Sequence, residues 1–596
     1  MFHKKSGLKI FLISSSLLFL VFSCTRRVVP NDLLIKNVKI VDGTGKPSYK
    51  GSIAIKGEKI VKVGKFKGRG EIEIDGSGLY ACPGFIDPHN HSDFSIIQYP
   101  LAENLIMQGI TTVLAGNCGS SPAPQKGLPF RDFLSRVEEK GISLNLALLA
   151  GHNTIRVAVM GEDFKRRATP KEIEEMKALL EEAMGSGAFG LSSFFDPSPG
   201  EYASLDEIVE LAKVAAKYKG IYVPHTRHIQ SQMPSSDPEE YGYGIFHGDI
   251  QDVWVGRYRG YKEAIEISRR AEIPLHIAHF CTAFKNPMPH PNYLDEAGAR
   301  ATLEEIIDKA REEGLSITFD VIACSSTISA PRPIWADFYK GRNLHLEWVN
   351  NLEFSEFVEK LKSREFRDKI REVYDSNRLK LGMIHTKEDP YWMDCFQITS
   401  CENKEYEGKI LGDLARERGI DPLELIFDLI VEDPKATWVQ FLDRRDPPGA
   451  MPPLLKHPCA MPSTDVTAFP AELSPGQWNP YSDYGSLPAP TAYGLFPHYI
   501  GTYVRELGVL SIEEAVKKAT SFVAEKFGFE SRGVLKPGAY ADIVIFNLGT
   551  IKMSGDFLKP NTPPEGIEYV LVNGKIVYKE KRHTGLKPGK VLRHST

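Results

Sequence analysis

Cysteine is scarce in this chain: eight residues in 596, with no CxxC pair, too few for a disulfide scaffold. An excess of one charge is missing too. Seventy-three basic and 77 acidic side chains leave a net charge of −4, which provides no basic face for nucleic acid. No repeat of about 20–50 residues is evident, which argues against solenoids and propellers. What is present is ordinary: 25% charged and 42% hydrophobic residues, a balance that excludes disorder, collagen and coiled coil as descriptions of the whole. Fifty glycines and 40 prolines imply many tight loops.

Lys4, Lys5 and Lys9 precede an apolar run, Ile10 to Ser23 (IFLISSSLLFLVFS). A basic start followed by a run too short to span a bilayer is the pattern of a secretory signal over residues 1–23. The run ends Leu20-Val21-Phe22-Ser23-Cys24. A small residue directly before a cysteine resembles the bacterial lipobox. That resemblance implies cleavage before Cys24, a lipid on its sulfur, and an exported, membrane-anchored lipoprotein on the periplasmic or cell-surface side. Export permits disulfides. Cys395 and Cys401 are close enough in sequence to pair, although their spacing does not demand it.

Asp32 to Leu79 alternates apolar and polar residues between Gly, Asp and Asn, which reads as antiparallel strands. Ala541–Phe546 and Tyr569–Val577 repeat the style. Residues 24–83 and 526–596 are therefore expected to build one small β-sandwich from both ends of the chain. Between them, short apolar runs (TTVLAGN, LNLALLAG, FGLSS, IYVPHT, LHIAH, SITFDV, CAMPS) alternate with helical stretches such as Pro170 to Met184 and Ser204 to Tyr218. About eight such units argue for a (β/α)8 TIM barrel over residues 84–525. Ala330 to Tyr406 breaks the rhythm and reads as an insertion over the barrel mouth.

Candidate chemistry sits where these runs end. In Pro83-Gly84-Phe85-Ile86-Asp87-Pro88-His89-Asn90-His91, strand alternation puts Asp87, His89 and His91 on one face, and two imidazoles converging from one strand make half of a metal site. Cys118 follows TTVLAGN, His225 ends GIYVP, His279 ends PLHIA, and Asp465 follows CAMPST. Barrel active sites lie at strand ends, so the set says more than any member alone. Arg227 is two residues from His225 and is expected to share its face. His276, three from His279, is expected on the other face in a structural role. His152, His247, His290 and His345 have no comparable setting and are expected on loops or the surface.

The order HxH, NCG, HxR, H, then a late Asp resembles the amidohydrolase superfamily, specifically its D-aminoacylase (N-acyl-D-amino-acid deacylase) branch. The likeness extends through Gly109-Ile110-Thr111-Thr112-Val113, Pro199-Gly200-Glu201-Tyr202-Ala203, Glu402-Asn403 to Glu407-Gly408-Lys409, and Gly533-Val534-Leu535-Lys536-Pro537-Gly538. It implies a metal-dependent hydrolase fold, a (β/α)8 barrel with a terminal β-sandwich. By resemblance, Cys118, His225 and His279 match the ligands of a tightly held Zn2+. His89, His91 and Asp465 match a second, weaker position, and Asp465 matches the catalytic acid/base. Zinc lowers the pKa of bound water from about 15.7 towards 7 and polarises a scissile carbonyl. The resemblance implies that Asp465 would take the water proton and pass it to the leaving nitrogen. Arg227 is our expected donor to the tetrahedral intermediate.

The departures fall at the presumed substrate end. A Lys usual in the family two residues after the third metal histidine is Cys281 here, and Val466 stands where a Gly is usual after the catalytic Asp. A substrate carboxylate wants a paired cation, for which Arg257, Arg259 and Lys285 are loop candidates. Phe280, Tyr493 and Phe496 are candidates to line an apolar pocket, and Trp335 and Trp392 either add to it or pack. The leading expectation is deacylation of an N-acyl-D-amino acid or related small-molecule amide. A cyclic amidase of dihydroorotase or hydantoinase type and an inactive surface binding protein on the same barrel are the rivals.

Overall fold

The computed structural model describes residues 1, 31–195, 199–227, 257–283, 290–324, 331–339, 344–376, 378–382, 384–386, 391–441, 448–474, 477 and 487–595. The expected signal segment, Cys24, His247 and Lys285 lie outside the described residues, as does the side chain of His345. No helix among them is long and apolar enough to cross a membrane.

Both ends of the chain enter one nine-stranded sheet. The join is the antiparallel pair Tyr80–Pro83 and Ile543–Phe546. Alternation along Asn31–Ile40 turns Leu33 and Ile35 inward. A register shift between Ile35 and Val38 keeps Val38 and Ile40 in the same core. That core is shared with Ile543, Ile545 and Leu571. The sheet curls on itself where Ile60 N donates to Ala539 O (2.9 Å) and Ala541 N to Glu58 O (2.8 Å).

The barrel strands are β1 (Phe85–Asp87), β2 (Ile110–Ala115), β3 (Asn145–Leu148, resumed at Ala150–Gly151), β4 (Gly190–Phe194), β5 (Ile221–His225), β6 (Leu275–Ile277), β7 (Ile317–Ile322) and β8 (Ala460–Ser463). Successive strands pair in parallel. Past their formal ends β8 meets β1: His91 N donates to Val466 O (2.8 Å) and Asp465 N to His89 O (3.0 Å). The architecture is a (β/α)8 barrel. Its helices carry ordinary start signals, such as the capping box of Thr169 and Glu172 on Pro170–Gly185.

The barrel interior is apolar low down. Ile86, Leu114, Ala147, Val223, Ala278 and Met461 pack there against Val523, Ala524 and Phe527 of the helix Ser521–Phe527. Packing at that end leaves the C-terminal end for chemistry.

Between β7 and β8 the chain forms an insert with its own core, running from Ile334 to Trp438. The sequence placed its end near residue 406. The structure extends it because the helix Pro422–Glu432 packs Leu423, Ile426 and Phe427 into the insert's core, and Thr437–Gln440 pairs with Phe396–Ser400 rather than with a barrel strand. Trp335 and Trp392 belong to this packing: Trp335 Nε1 donates to Pro434 O (2.8 Å), and Trp392 is buried. Cys395 and Cys401 are not joined to each other by a disulfide, and Cys401 Sγ donates to Asn403 O (2.9 Å). The final residues leave the sheet and run along β3, where Leu146 N donates to Lys590 O (2.9 Å) and Leu592 N to Leu146 O (2.7 Å).

Candidate metal centre

Each strand delivers its side chain through a local turn. β2 ends at Ala115, and Gly116, Cys118 and Gly119 all take left-handed backbone (φ 76°, 48° and 68°), which swings the thiol over the barrel axis. Ser192 on β4 clips this turn: its Oγ donates to Gly116 O (2.5 Å) and accepts from Gly119 N (3.1 Å). His279 and Asp465, just past β6 and β8, also have positive φ (35° and 55°). Such backbone costs about 1–3 kcal/mol per residue and gathers where geometry serves a site.

The side chains converge. Cys118 Sγ lies 3.4 Å from His89 Nε2, 3.4 Å from His225 Nδ1 and 3.7 Å from His279 Nε2. His279 Nε2 is 2.8 Å from His225 Nδ1. On the other side of His89, Asp465 Oδ1 lies 3.3 Å from His89 Nε2 and 3.1 Å from His91 Nε2. Ligands about 2.0–2.3 Å from a tetrahedral ion stand roughly 3.3–3.6 Å apart, close to these spacings. Two overlapping metal-capable groups result, His89–Cys118–His279 and His89–His91–Asp465.

Burial opposes charge on Cys118, Asp465, His89 and His91, and proximity overrides it. Burial pushes the Cys118 thiol up, but His89 and His225 hold it well below its ordinary range. Asp465 is pulled well below the usual carboxylate range by His89 and His91, against its own burial. Burial pulls His91 down, yet Asp465 and Cys118 raise it to about 10. His89 is raised well above normal by Asp465, Asp320 and Cys118, again against burial. A thiolate and a carboxylate among four imidazoles form a donor set for a borderline dication such as zinc, which replaces the imidazole protons. The Asp465 side chain is 28% exposed while that of His89 is fully buried, so Asp465 is open to an incoming molecule, as are the half-buried Cys118 and His279.

Several expectations need correction. Asp87 does not join His89 and His91. β1 ends at Asp87, Ile86 is the residue packed in the barrel interior, and Asp87 instead accepts from Thr464 N (3.1 Å), Thr464 Oγ1 (2.5 Å) and Asn90 Nδ2 (2.8 Å), tying the HxH turn to β8. Burial raises its pKa to about 6.

Arg227 is paired with an acidic side chain in this structure. β5 ends at His225, so alternation does not carry on to residue 227. Its buried guanidinium is held by Glu263 (Nε to Oε2 3.0 Å, Nη2 to Oε1 3.3 Å), with Nη1 near Phe195 O and Glu201 O.

His276 points into the barrel, since Leu275 and Ile277 pack outward with the helices. His152 is buried rather than exposed, with Nε2 2.9 Å from Glu207 Oε1. His290 pairs with Asp295 at 2.6 Å. Phe280 packs between Tyr261 and Phe319, Phe496 stacks on Phe85, and Tyr493 is buried, so all three are core residues. Arg257 donates to Thr282 O (2.9 Å) beside the β6 loop.

Asp320, midway along β7, was not singled out from the sequence. It touches His89, His276, His279 and Ser463. Its signal is a lone carboxylate inside an apolar strand, ITFDVI.

A parallel barrel with thiolate, imidazoles and carboxylate at its C-terminal mouth, joined to a sheet domain from both termini, defines the metal-dependent hydrolases of the amidohydrolase type. The chain is similar to the amidohydrolase family, whose profile matches residues 73–240 and 482–578. It is similar to the D-aminoacylase of Alcaligenes xylosoxydans xylosoxydans, 27% identical over 94% of this chain and 98% of that protein. The N-acyl-D-aspartate deacylase of the same organism is 27% identical over 94% and 95%. A crystal structure of N-acyl-D-glutamate deacylase from Bordetella bronchiseptica, complexed with zinc and a phosphonate mimic of the tetrahedral intermediate, superposes with a TM-score of 0.66 at 25% identity, covering 95% of this chain and 100% of that one.

Proposed function

We propose that this metal-dependent hydrolase of a non-peptide C–N bond deacylates an N-acyl-D-amino acid or a related N-acyl compound, with Cys118, His225 and His279 holding zinc, and His89, His91 and Asp465 forming a second, weaker position. Support for the substrate class comes from the two deacylase relatives, which span almost the whole chain. The relative solved with zinc supports the choice of metal. When bound, zinc supplies a Lewis acid that polarises an amide carbonyl and lowers the pKa of water.

The observation that carries the reading is the placement of Asp465. It is the partly exposed carboxylate of the cluster, fixed by His89 and His91 through one oxygen. Its low pKa keeps it able to accept a proton. In hydrolysis the C–N bond breaks and a C–O bond to water forms. Asp465 takes one water proton and delivers it to the departing nitrogen, ending as it began. His89 and His91 orient the carboxylate, and the Gly116–Gly119 turn sets the thiol. Cys118, whose sulfur meets His89, His225 and His279, supports a deacylase over a cyclic amidase, whose bridging ligand is typically a carboxylated lysine. Export and a lipid on Cys24 belong to the same proposal and rest on the sequence of residues 1–24.

Asp465→Asn keeps its shape and loses its basicity. Hydrolysis of N-acetyl-D-amino acids is expected to fall about 10²–10⁴-fold while the zinc held by Cys118, His225 and His279 is retained. Wild-type turnover of hydantoins or dihydroorotate, with N-acetyl-D-amino acids untouched, contradicts the deacylase reading. Metal-loaded protein inert to every amide contradicts catalysis itself.

A further inference from the structure

We propose that Asp320, backed by His276, is a positioning residue that fixes the tautomer of His89 and the backbone of His279 together, so that one carboxylate on β7 presets two ligands from different strands. This rests on the metal-site reading above.

Asp320 is fully buried at the centre of β7, where Phe319 and Val321 pack outward with the helices and leave Asp320 facing the barrel interior. A carboxylate has about four lone-pair positions, and this one meets four polar neighbours. Oδ2 lies 3.4 Å from His89 Nδ1 and 3.1 Å from His276 Nε2. Oδ1 accepts from Ser463 Oγ (2.5 Å) and from the backbone N of His279 (3.1 Å). The four donors come from β6, β8 and the turns following β1 and β6. The His279 amide can only donate, and Ser463, His89 and His276 each carry a hydrogen able to point at a carboxylate oxygen, so Asp320 is their shared acceptor.

The proton positions follow. His276 is pulled down by burial and is neutral. Its Nε2 hydrogen goes to Asp320, and Nδ1 accepts from Thr318 Oγ1 at 2.9 Å. His89 then places its Nδ1 hydrogen on Asp320, which leaves Nε2 as the atom offered to the cluster, 3.4 Å from Cys118 Sγ and 3.3 Å from Asp465 Oδ1. An imidazole whose far nitrogen donates to a carboxylate is a better-oriented and more basic ligand. The second half of the device is the bond to His279 N, which anchors a ligand whose φ of 35° is unfavourable for a side-chain-bearing residue.

The test uses full-length, metal-stripped protein and Co2+ alone as probe. Affinity is read by chelator competition, and coordination by the thiolate charge-transfer and ligand-field bands. Asp320→Asn, which offers a donor where two donors already converge, is expected to weaken Co2+ binding about 10–100-fold and to shift the ligand-field bands. Ser463→Ala and His276→Asn each remove one contact to Asp320 and touch no ligand, so they are expected to weaken binding a few-fold in the same direction. Wild-type affinity and bands in Asp320→Asn overturn the proposal. If that variant fails to fold by circular dichroism, wild-type values in both Ser463→Ala and His276→Asn overturn it instead. Wild-type protein that takes up no Co2+ overturns the metal-site reading, and this inference with it.

Discussion

At the N-terminal end of the barrel, Arg532, Asp542, Asn573 and Asn145 meet as a buried network joining the sheet domain to β3. Arg532 donates to Asp542 and to Asn573 Oδ1 (3.0 Å), Asn145 Nδ2 to Asp542 Oδ2 (3.2 Å), and Asn573 Nδ2 to Asn145 Oδ1 (2.9 Å) and Pro588 O (2.8 Å). At the C-terminal end, Cys118, His89, His91, His225, His279 and Asp465 meet instead. The lower network matches donor to acceptor, and the left-handed Asn573 (φ 45°) sits in an Asn-Gly hairpin turn that wants that conformation. The upper cluster crowds an acidic thiol against three imidazoles and puts Cys118, His279 and Asp465 in left-handed backbone. Buried polarity alone does not mark a site. Complementary pairing marks a joint between domains, whereas donors of one kind converging on a point, on backbone held for the purpose, mark a place for a ligand.

The contrast predicts that substitutions at the two ends separate stability from chemistry. The largest stability effect belongs below. Asp542→Ala leaves Arg532 buried without its carboxylate and is expected to cost about 3–5 kcal/mol in denaturant unfolding, with the KM of the remaining folded protein unchanged. A KM shift without loss of stability there would erase the distinction.

Lys518, also at this end, donates to His457 O (2.5 Å) and Ala460 O (3.4 Å), and burial lowers its pKa from 10.5 to about 8. Above about pH 10.5 the amine is neutral in both folded and unfolded chains. As pH falls towards 8 the unfolded chain takes the proton first, so this lysine withdraws up to about 3 kcal/mol across that window. Lys518→Met is therefore expected to gain stability relative to wild type on going from pH 10.5 to 8, with no further relative change below. A constant difference across the window would show that the buried amine does not titrate with folding.

Cys118, His225, His279 and Asp465 were readable because barrel chemistry sits where apolar runs stop, and a polar letter after such a run is visible in the sequence. Asp320 was hidden by the reverse arrangement: inside ITFDVI a single Asp looks like one step of strand alternation, and only the closed barrel brings β7 opposite the turn after β1. Alternation was also carried past strand ends at Asp87 and His225, so it does not account for the bonds that hold Asp87 to Thr464 and Arg227 to Glu263. Phe280, Tyr493 and Phe496 showed that aromatic character does not distinguish a pocket wall from core. The insert ran past residue 406 because its last helix and strand have the same β/α cadence as the barrel and differ only in what they pair with.

Elemental analysis of purified wild-type and Cys118→Ala protein, alongside turnover of an N-acetyl-D-amino acid, tests the central claim most directly. The account predicts near-stoichiometric zinc and turnover in the wild type, and loss of both in the variant with its circular dichroism preserved. A Cys118→Ala protein that keeps its zinc and its activity would contradict a metal centre built on that thiolate.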